Sequence, residues 1–388
     1  MLKRFSVFFI QPKYIYGLYL IVSVVTAISK YCGSDYNNYK IFKNVFYNAR
    51  AASNLYAFYP EQYWDCNHYG ILFGLIIAPF ALLPDWLGII LWNLANVSLL
   101  IYAISRLPFS DTKKAIFAWL CLQELITALL SFQFNVALTA LLILSACFII
   151  RQQEVKSAAA ILAGTFVKIY GIVGLSSFFF IRNKKKFITA FIVVALVFFC
   201  LPMLFFGAGF TVQSYADWYI RLLEKNQANL AATSGQDISL MGVFRRIFHR
   251  PDISNLVFLA IGLPIFALPY LRIKQYSNIY FQLLIVASTL LFVVLFSSGS
   301  ESPTYIIAVA GVMIWFSIQK RKTHWVYFLL FFVMLLTCFS PSDIFPAYIR
   351  RQYINTYSLK ALPCIFVWLQ IIVELLTVKD FDKKYALR

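Results

Sequence analysis

Apolar residues run through this chain in long blocks, each interrupted by a few polar or charged positions before the next begins. The blocks near Tyr14 to Cys32, 187–207, 255–271, 277–296, 304–319, 324–338 and 361–378 approach the ~20 residues that cross a bilayer as a helix. They are too long and too uniform for the alternating strands of a membrane barrel. Within lipid only helices and closed barrels satisfy their own backbone hydrogen bonds. The pattern therefore predicts an all-α polytopic membrane protein, with residues 1–388 as a single integral membrane domain.

Two stretches allow rival paths. Residues 70–105 hold either two helices broken at Pro84-Asp85 or a half-inserted helix followed by one crossing. Residues 157–181 hold either a hairpin of two short helices around Lys168-Ile169-Tyr170-Gly171 or one full helix. One net crossing in 70–105 combined with a hairpin in 157–181 puts Gln133, Asn135 and Lys168 on the same side as Asp35. Residues 115–150 then form a hairpin with Ser131 to Asn135 at its outer tip. Between the blocks lie two long extracytoplasmic loops, 33–69 and 208–253. In the first, Tyr36, Tyr39, Phe42 and Phe46 recur at helical spacing and predict an amphipathic helix on the membrane surface. Tyr56, Tyr59, Tyr63 and Trp64 suit an interfacial aromatic belt.

Composition supports this class. Of 388 residues 61% are hydrophobic and 13% charged, against about a quarter charged in soluble domains. The formal charge of +18 is spread over short clusters: Lys3/Arg4/Lys13, Lys113/Lys114, Arg182/Lys184/Lys185/Lys186 and Lys320/Arg321/Lys322. Basic loops of this kind face the cytoplasm, so the charge sets topology and predicts no nucleic-acid partner. The seven cysteines show no CxxC spacing, which gives neither a zinc nor a redox motif; Cys32 and Cys66 share the outer side and either pair or stay separate. Walker, dinucleotide-fingerprint, HExxH and nucleophile-elbow motifs are missing from the sequence.

Few residues are left to carry chemistry. Asp35 is an acid at the end of the first apolar block, either a functional carboxylate or a helix cap. Lys168 interrupts an apolar stretch, as a phosphate contact or as a snorkelling end residue. Arg245 and Arg246 lie on an amphipathic piece after Gln236-Asp237, and suit either a lipid phosphate or general attraction to anionic headgroups. His68 sits among interfacial aromatics, as a phosphate donor, a general acid or a structural ring. Glu301 lies in the outer loop Ser297–Pro303.

The order of these features resembles the family 87 glycosyltransferases, polytopic enzymes of the GT-C class that include bacterial mannosyltransferases of glycolipid synthesis. The resemblance runs from Asp35 and its Tyr-rich loop through Pro79 to Pro84, Trp92-Asn93, the Gln133/Asn135 hairpin and Ala163 to Lys168, to Gln236 to Gly242. It spans most of 30–250 and, more loosely, Ser297–Tyr305. Asn67-His68-Tyr69-Gly70, Phe132-Gln133 and Ser300-Glu301-Ser302-Pro303 depart from the family pattern.

What the resemblance implies is a GT-C-type bundle of about 12 transmembrane helices, with juxtamembrane helices in the first loop. It implies an inverting enzyme that moves a hexose, foremost mannose, from a polyprenyl-phosphate donor to an extracytoplasmic glycan or glycolipid acceptor. Asp35 would match the catalytic base. Lys168, Arg245 and His68 would meet the phosphate charge, with Gln133, Asn135, Gln236, Arg246 and Glu301 completing the substrate-binding set. The chemistry implies no metal and no cofactor. The site would face the outside of the inner (plasma) membrane, among membrane lipids. The rival reading is a transporter or flippase of lipid-linked saccharides.

Overall fold

A computed structural model describes residues 10–229 and 236–387; Lys3 and Arg4 of the basic leading segment lie outside the described residues, as do 230–235 of the second long loop. Helices make up 77% of the described residues, among which no strand is found. The principal helices are α1 (Pro12–Cys32), α2 (Asn37–Arg50), α3 (Leu72–Ala81), α4 (Asp85–Arg106), α5 (Asp111–Leu130), α6 (Asn135–Ile150), α7 (Glu154–Val167) and α8 (Lys184–Phe206). They continue with α9 (Ala208–Asn229), α10 (Leu240–Ile247), α11 (Asn255–Ala267), α12 (Ile279–Leu295), α13 (Tyr305–Ile318), α14 (His324–Phe332) and α15 (Leu362–Thr377).

Composition sorts these helices between lipid and interior. Every residue of α13 is buried, and it pairs with α12, α5 and α6; a helix apolar on all sides belongs in such a core. By contrast, α8 leaves Ile192, Val193, Leu196 and Phe205 exposed, and α1 leaves Ile21 and Val25 exposed. Four helices are long and apolar enough to cross a membrane: Pro12–Cys32, Asp85–Arg106, Lys184–Phe206 and Leu359–Thr377. Seven shorter apolar helices accompany them. The chain is a helical membrane protein.

In 70–105 a short helix precedes one of crossing length, and 157–181 breaks at Lys168. Helix α3 has 10 residues, a rise of about 15 Å, and stops at Leu82–Pro84 before α4. In 157–181 the chain turns at Lys168 into a 3-10 segment, Ile169–Phe180, that folds back on α7. Glycine permits that contact: a Cβ on Gly171 would sit 2.2 Å from the Thr165 nitrogen, and one on Gly174 would sit 2.8 Å from Ile161.

Three expectations about the outer segments need correcting. The amphipathic helix α2 does not lay its apolar face on the bilayer, because Tyr39, Ile41, Phe42, Val45 and Phe46 are buried against α3. Tyr39 and Tyr47 donate to the carbonyls of Phe80 (2.9 Å) and Ala81 (2.8 Å). Those carbonyls lie in the last turn of α3, where the helical ladder runs out, although Leu83 N also reaches Phe80 O at 3.2 Å; the chain itself is the better surface for α2. Second, the belt residues Tyr56 and Tyr63 are buried in the chain's own core, and Trp64 alone of the four is largely exposed. Third, much of 208–253 is helix, since α9 occupies 22 residues. Its polar sequence hid it from a search for apolar runs. Cys32 and Cys66 are both free.

Among the described residues the basic clusters gather at one end, with the C-terminal residues packed among them. Ser110 donates its amide to Leu387 O, Lys113 reaches Ala386 O (2.6 Å), and Arg272 reaches Leu375 O and Val378 O. The opposite end holds the loops around residues 33–70, 131–134, 168, 236–239 and 296–304.

Candidate active site

At that second end the loops enclose a cavity of about 390 Å³. Its walls come from the end of the first loop (Asp65 to Tyr69), the α5–α6 tip at Gln133, the Lys168–Tyr170 turn, α9 (Leu222 to Asn229), Gln236 and the Ser297–Glu301 loop.

Each wall is set by local backbone chemistry. Asn67 staples its own turn, donating to Tyr69 O and accepting from Tyr69 N, both at 2.9 Å. Trp218 of α9 donates to His68 O at 2.8 Å. Gly70 N reaches Val167 O at 3.1 Å, which joins the first loop to the end of α7. That approach requires glycine, since a Cβ at 70 would lie 2.3 Å from Phe166 O and 2.9 Å from the Trp218 ring. Asp237 N and Ile238 N donate to Ser298 O (3.1 Å) and Ser300 O (2.9 Å), fixing the far wall.

Across this frame runs a continuous hydrogen-bonded chain. Lys168 Nζ donates to Asn135 Oδ1 (2.7 Å), Asn135 Nδ2 to Gln133 Oε1 (2.6 Å), and Gln133 Nε2 to Glu301 Oε2 (2.9 Å). A cation and a carboxylate thus stand at the two ends of a neutral amide relay that holds both in place. Lys168 also lies over the Tyr170 ring, 4.9 Å from its centre, and the Tyr170 hydroxyl bonds Ser297 Oγ. Four residues singled out from sequence are therefore one assembly.

His68 and Gln236 also line the cavity. Asn135, fully buried, is not part of the lining, and neither are Asp35, Arg245 and Arg246. The Asp35 carboxylate is 71% exposed and paired with Lys30 outside the cavity lining, while Asn38, three residues later, is part of that lining. Arg245 is 4% exposed; it donates to Asp237 Oδ2 at 2.7 Å, to Ile253 O at 2.9 Å and to Asn255. Arg246 donates to Gln236 O (2.6 Å), Asn355 O (3.0 Å) and Ser358. Both guanidinium groups are spent on holding the loops together, which leaves them outside the cavity wall.

The profile of glycosyltransferase family 87 matches residues 67–298, more than half the chain. This chain belongs to glycosyltransferase family 87. The matched residues carry His68, Gln133, Asn135, Lys168 and Gln236 into the family 87 frame. Asp35 precedes that stretch and Glu301 follows it. No curated protein matches this glycosyltransferase.

The transferase also has cavity residues that the sequence did not advertise. Asp65 lies beside His68 (3.7 Å), Arg221 (4.0 Å) and Lys225 (3.6 Å). Contact with His68 and the nearby Lys225 charge hold the Asp65 carboxyl well below its ordinary range, against the opposing effect of burial. Burial pushes the His68 imidazole below its ordinary value of 6.5, with the Asp65 charge opposing it. The spacing Arg221–Lys225 marks one helix face, a signal usable only once α9 is known to be helical. Among the described residues, no group of three or more His, Cys, Asp or Glu comes together as metal ligands would.

Proposed function

We propose that this family 87 glycosyltransferase moves a hexose, with mannose the leading candidate, from polyprenyl phosphate to a glycan or glycolipid acceptor outside the cytoplasm. The observation that carries the reading is the Lys168–Asn135–Gln133–Glu301 relay across a cavity at the end opposite the basic clusters. By the positive-inside rule that end faces away from the cytoplasm. A lipid-linked donor places its phosphate and sugar at the membrane boundary, where this cavity lies, and its chain beside the exposed apolar helix faces.

In the reaction proposed, an acceptor hydroxyl attacks the anomeric carbon as the bond from that carbon to the phosphate oxygen breaks. Polyprenyl phosphate leaves with the electron pair, the configuration inverts, and the hydroxyl proton passes to a base. Lys168 meets the charge that grows on the departing phosphate, and Gln133, Asn135 and Glu301 orient sugar hydroxyls. The base assigned by resemblance is Asp35. It stands outside the cavity lining, on the turn that leads into α2, and exchange of Lys30 for the acceptor hydroxyl would bring it into play.

Transfer of radiolabelled mannose from polyprenyl-phosphate mannose, measured in membranes, tests this. Asp35→Asn is expected to lower kcat by about 10²–10⁴-fold, the usual contribution of a general base, with donor binding kept. Full activity in that variant would remove Asp35 from the reaction.

A further inference from the structure

Asp65, His68 and Lys225 line the cavity, and Arg221 stands 4.0 Å from Asp65 outside that lining; this cluster holds buried polar atoms that nothing satisfies. The two ring nitrogens of His68, one of which donates in the neutral ring and both in the charged one, and the Nε of Arg221 are buried and have no hydrogen-bond partner. One arm of Arg221 is taken by Glu224 at 3.1 Å. The carboxylate they surround, Asp65, stands 3.6–4.0 Å from Lys225, His68 and Arg221, outside good hydrogen-bond range for each. Asp65 is itself held back by accepting from Cys66 N at 2.8 Å, on a backbone turned to φ 70°. Buried donors without partners cost about 1–3 kcal/mol each, so a cluster built this way is completed by a ligand rich in acceptor oxygens.

We infer that His68, Arg221 and Lys225 form a phosphate subsite at the wall next to Lys168, with Asp65 as a resident counter-ion that a bound phosphate partly displaces. The inference rests on the transferase reading only for the owner of the phosphate, donor or acceptor. Phosphate fits because its oxygens point in separate directions and accept from donors on different chain segments, and guanidinium suits it especially. Here the donors come from the first loop and from α9, joined at the Trp218–His68 O bond. A neutral sugar would supply donors as well as acceptors, and so would leave part of this donor set unmet. The neighbourhood of Lys168 follows from the Gly70–Val167 bond, two residues from His68 and one from Lys168.

The test is equilibrium binding to the full chain in nanodiscs of zwitterionic lipid. Its two probes are a long-chain polyprenyl phosphate, for the donor, and phosphatidylglycerol, for a phosphate carried by the acceptor lipid. Arg221→Gln and Lys225→Gln are each expected to weaken binding of one probe roughly tenfold, as loss of a charge-assisted hydrogen bond does. Asp65→Asn is expected to tighten binding of the same probe several-fold, a gain that simple damage to the fold does not produce. Weakening for polyprenyl phosphate alone assigns the subsite to the donor; weakening for phosphatidylglycerol alone assigns it to the acceptor. Unchanged binding of both probes in both glutamine variants overturns the subsite, as does weaker binding in Asp65→Asn. The mannose-transfer assay reports separately: phosphate binding with this pattern but without transfer leaves the subsite standing and removes the proposed reaction.

Discussion

His68 shows how much of this site is decided one residue at a time. Its ring is partly buried at the first-loop turn, whose carbonyl at His68 accepts from Trp218, and it stands near Lys225 and Arg221; only Asp65 favours its charged form. Because the folded value lies below 6.5, the unfolded chain binds more protons than the native one between those two values. Stability therefore rises with pH across that window and falls on acidification from neutrality. Thermal unfolding midpoints followed from about pH 7 to about pH 5 should drop in the wild type and drop less in His68→Gln. Equal slopes would show that this imidazole is not held neutral. Sequence alone left His68 between a functional and a structural part, and the difference is made by Arg221 and Lys225, some 150 positions away. By contrast, Lys168 announced itself, because an ammonium inside an apolar block needs a partner; the partner is Asn135.

Among elements, the telling contacts tie late segments to the cavity floor. Lys360, just before α15, donates to both oxygens of Glu124 on α5 (2.9 and 3.0 Å) and to Ser302 Oγ (2.9 Å). The pair is nearly sealed, with side chains 3% and 0% exposed. It anchors the residue next to Glu301, and so the acidic end of the relay. Removing one partner strands a buried charge: Lys360→Met should cost about 3–5 kcal/mol. The double variant Lys360→Met, Glu124→Leu should regain most of that in thermal unfolding, since a well-packed apolar pair replaces the ion pair at little net cost. A double variant no more stable than the single one would mean that the pair does more than neutralise itself. The break at Pro84-Asp85 was readable as one of two paths, and α8 starts where Asn183 caps it by accepting from Lys186 N, against the unfavourable lysines of its first turn. The helical nature of 208–229 was not readable, because α9 is stabilised by its Trp218 face and not by an apolar run.

Across the whole molecule, the cavity and the basic clusters lie at opposite ends, which gives an orientation that labelling can check. In a background with all seven cysteines replaced, single cysteines at Ser34 and Ser131 should react with a membrane-impermeant reagent applied from outside. Cysteines at Lys185 and Lys320 should react only after permeabilisation. Reaction of Ser131 solely after permeabilisation would put the cavity on the cytoplasmic face and end the proposed donor geometry. The helical membrane class and the polar positions worth watching follow from the amino-acid sequence, which left the paths of 70–105 and 157–181 open between two forms each. Transfer free energy from water to lipid is summed along the chain, and a one-dimensional pattern records it. Which of those residues meet was settled by packing alone. Gln133 and Glu301 are 168 positions apart and share a hydrogen bond, Arg245 turns inward to Asp237, and Asp35 stays outside the cavity lining beside Lys30. Such meetings depend on how helices approach one another, and at Gly70 and Gly171 on the space a missing Cβ leaves. No pattern of apolar and polar positions carries that information.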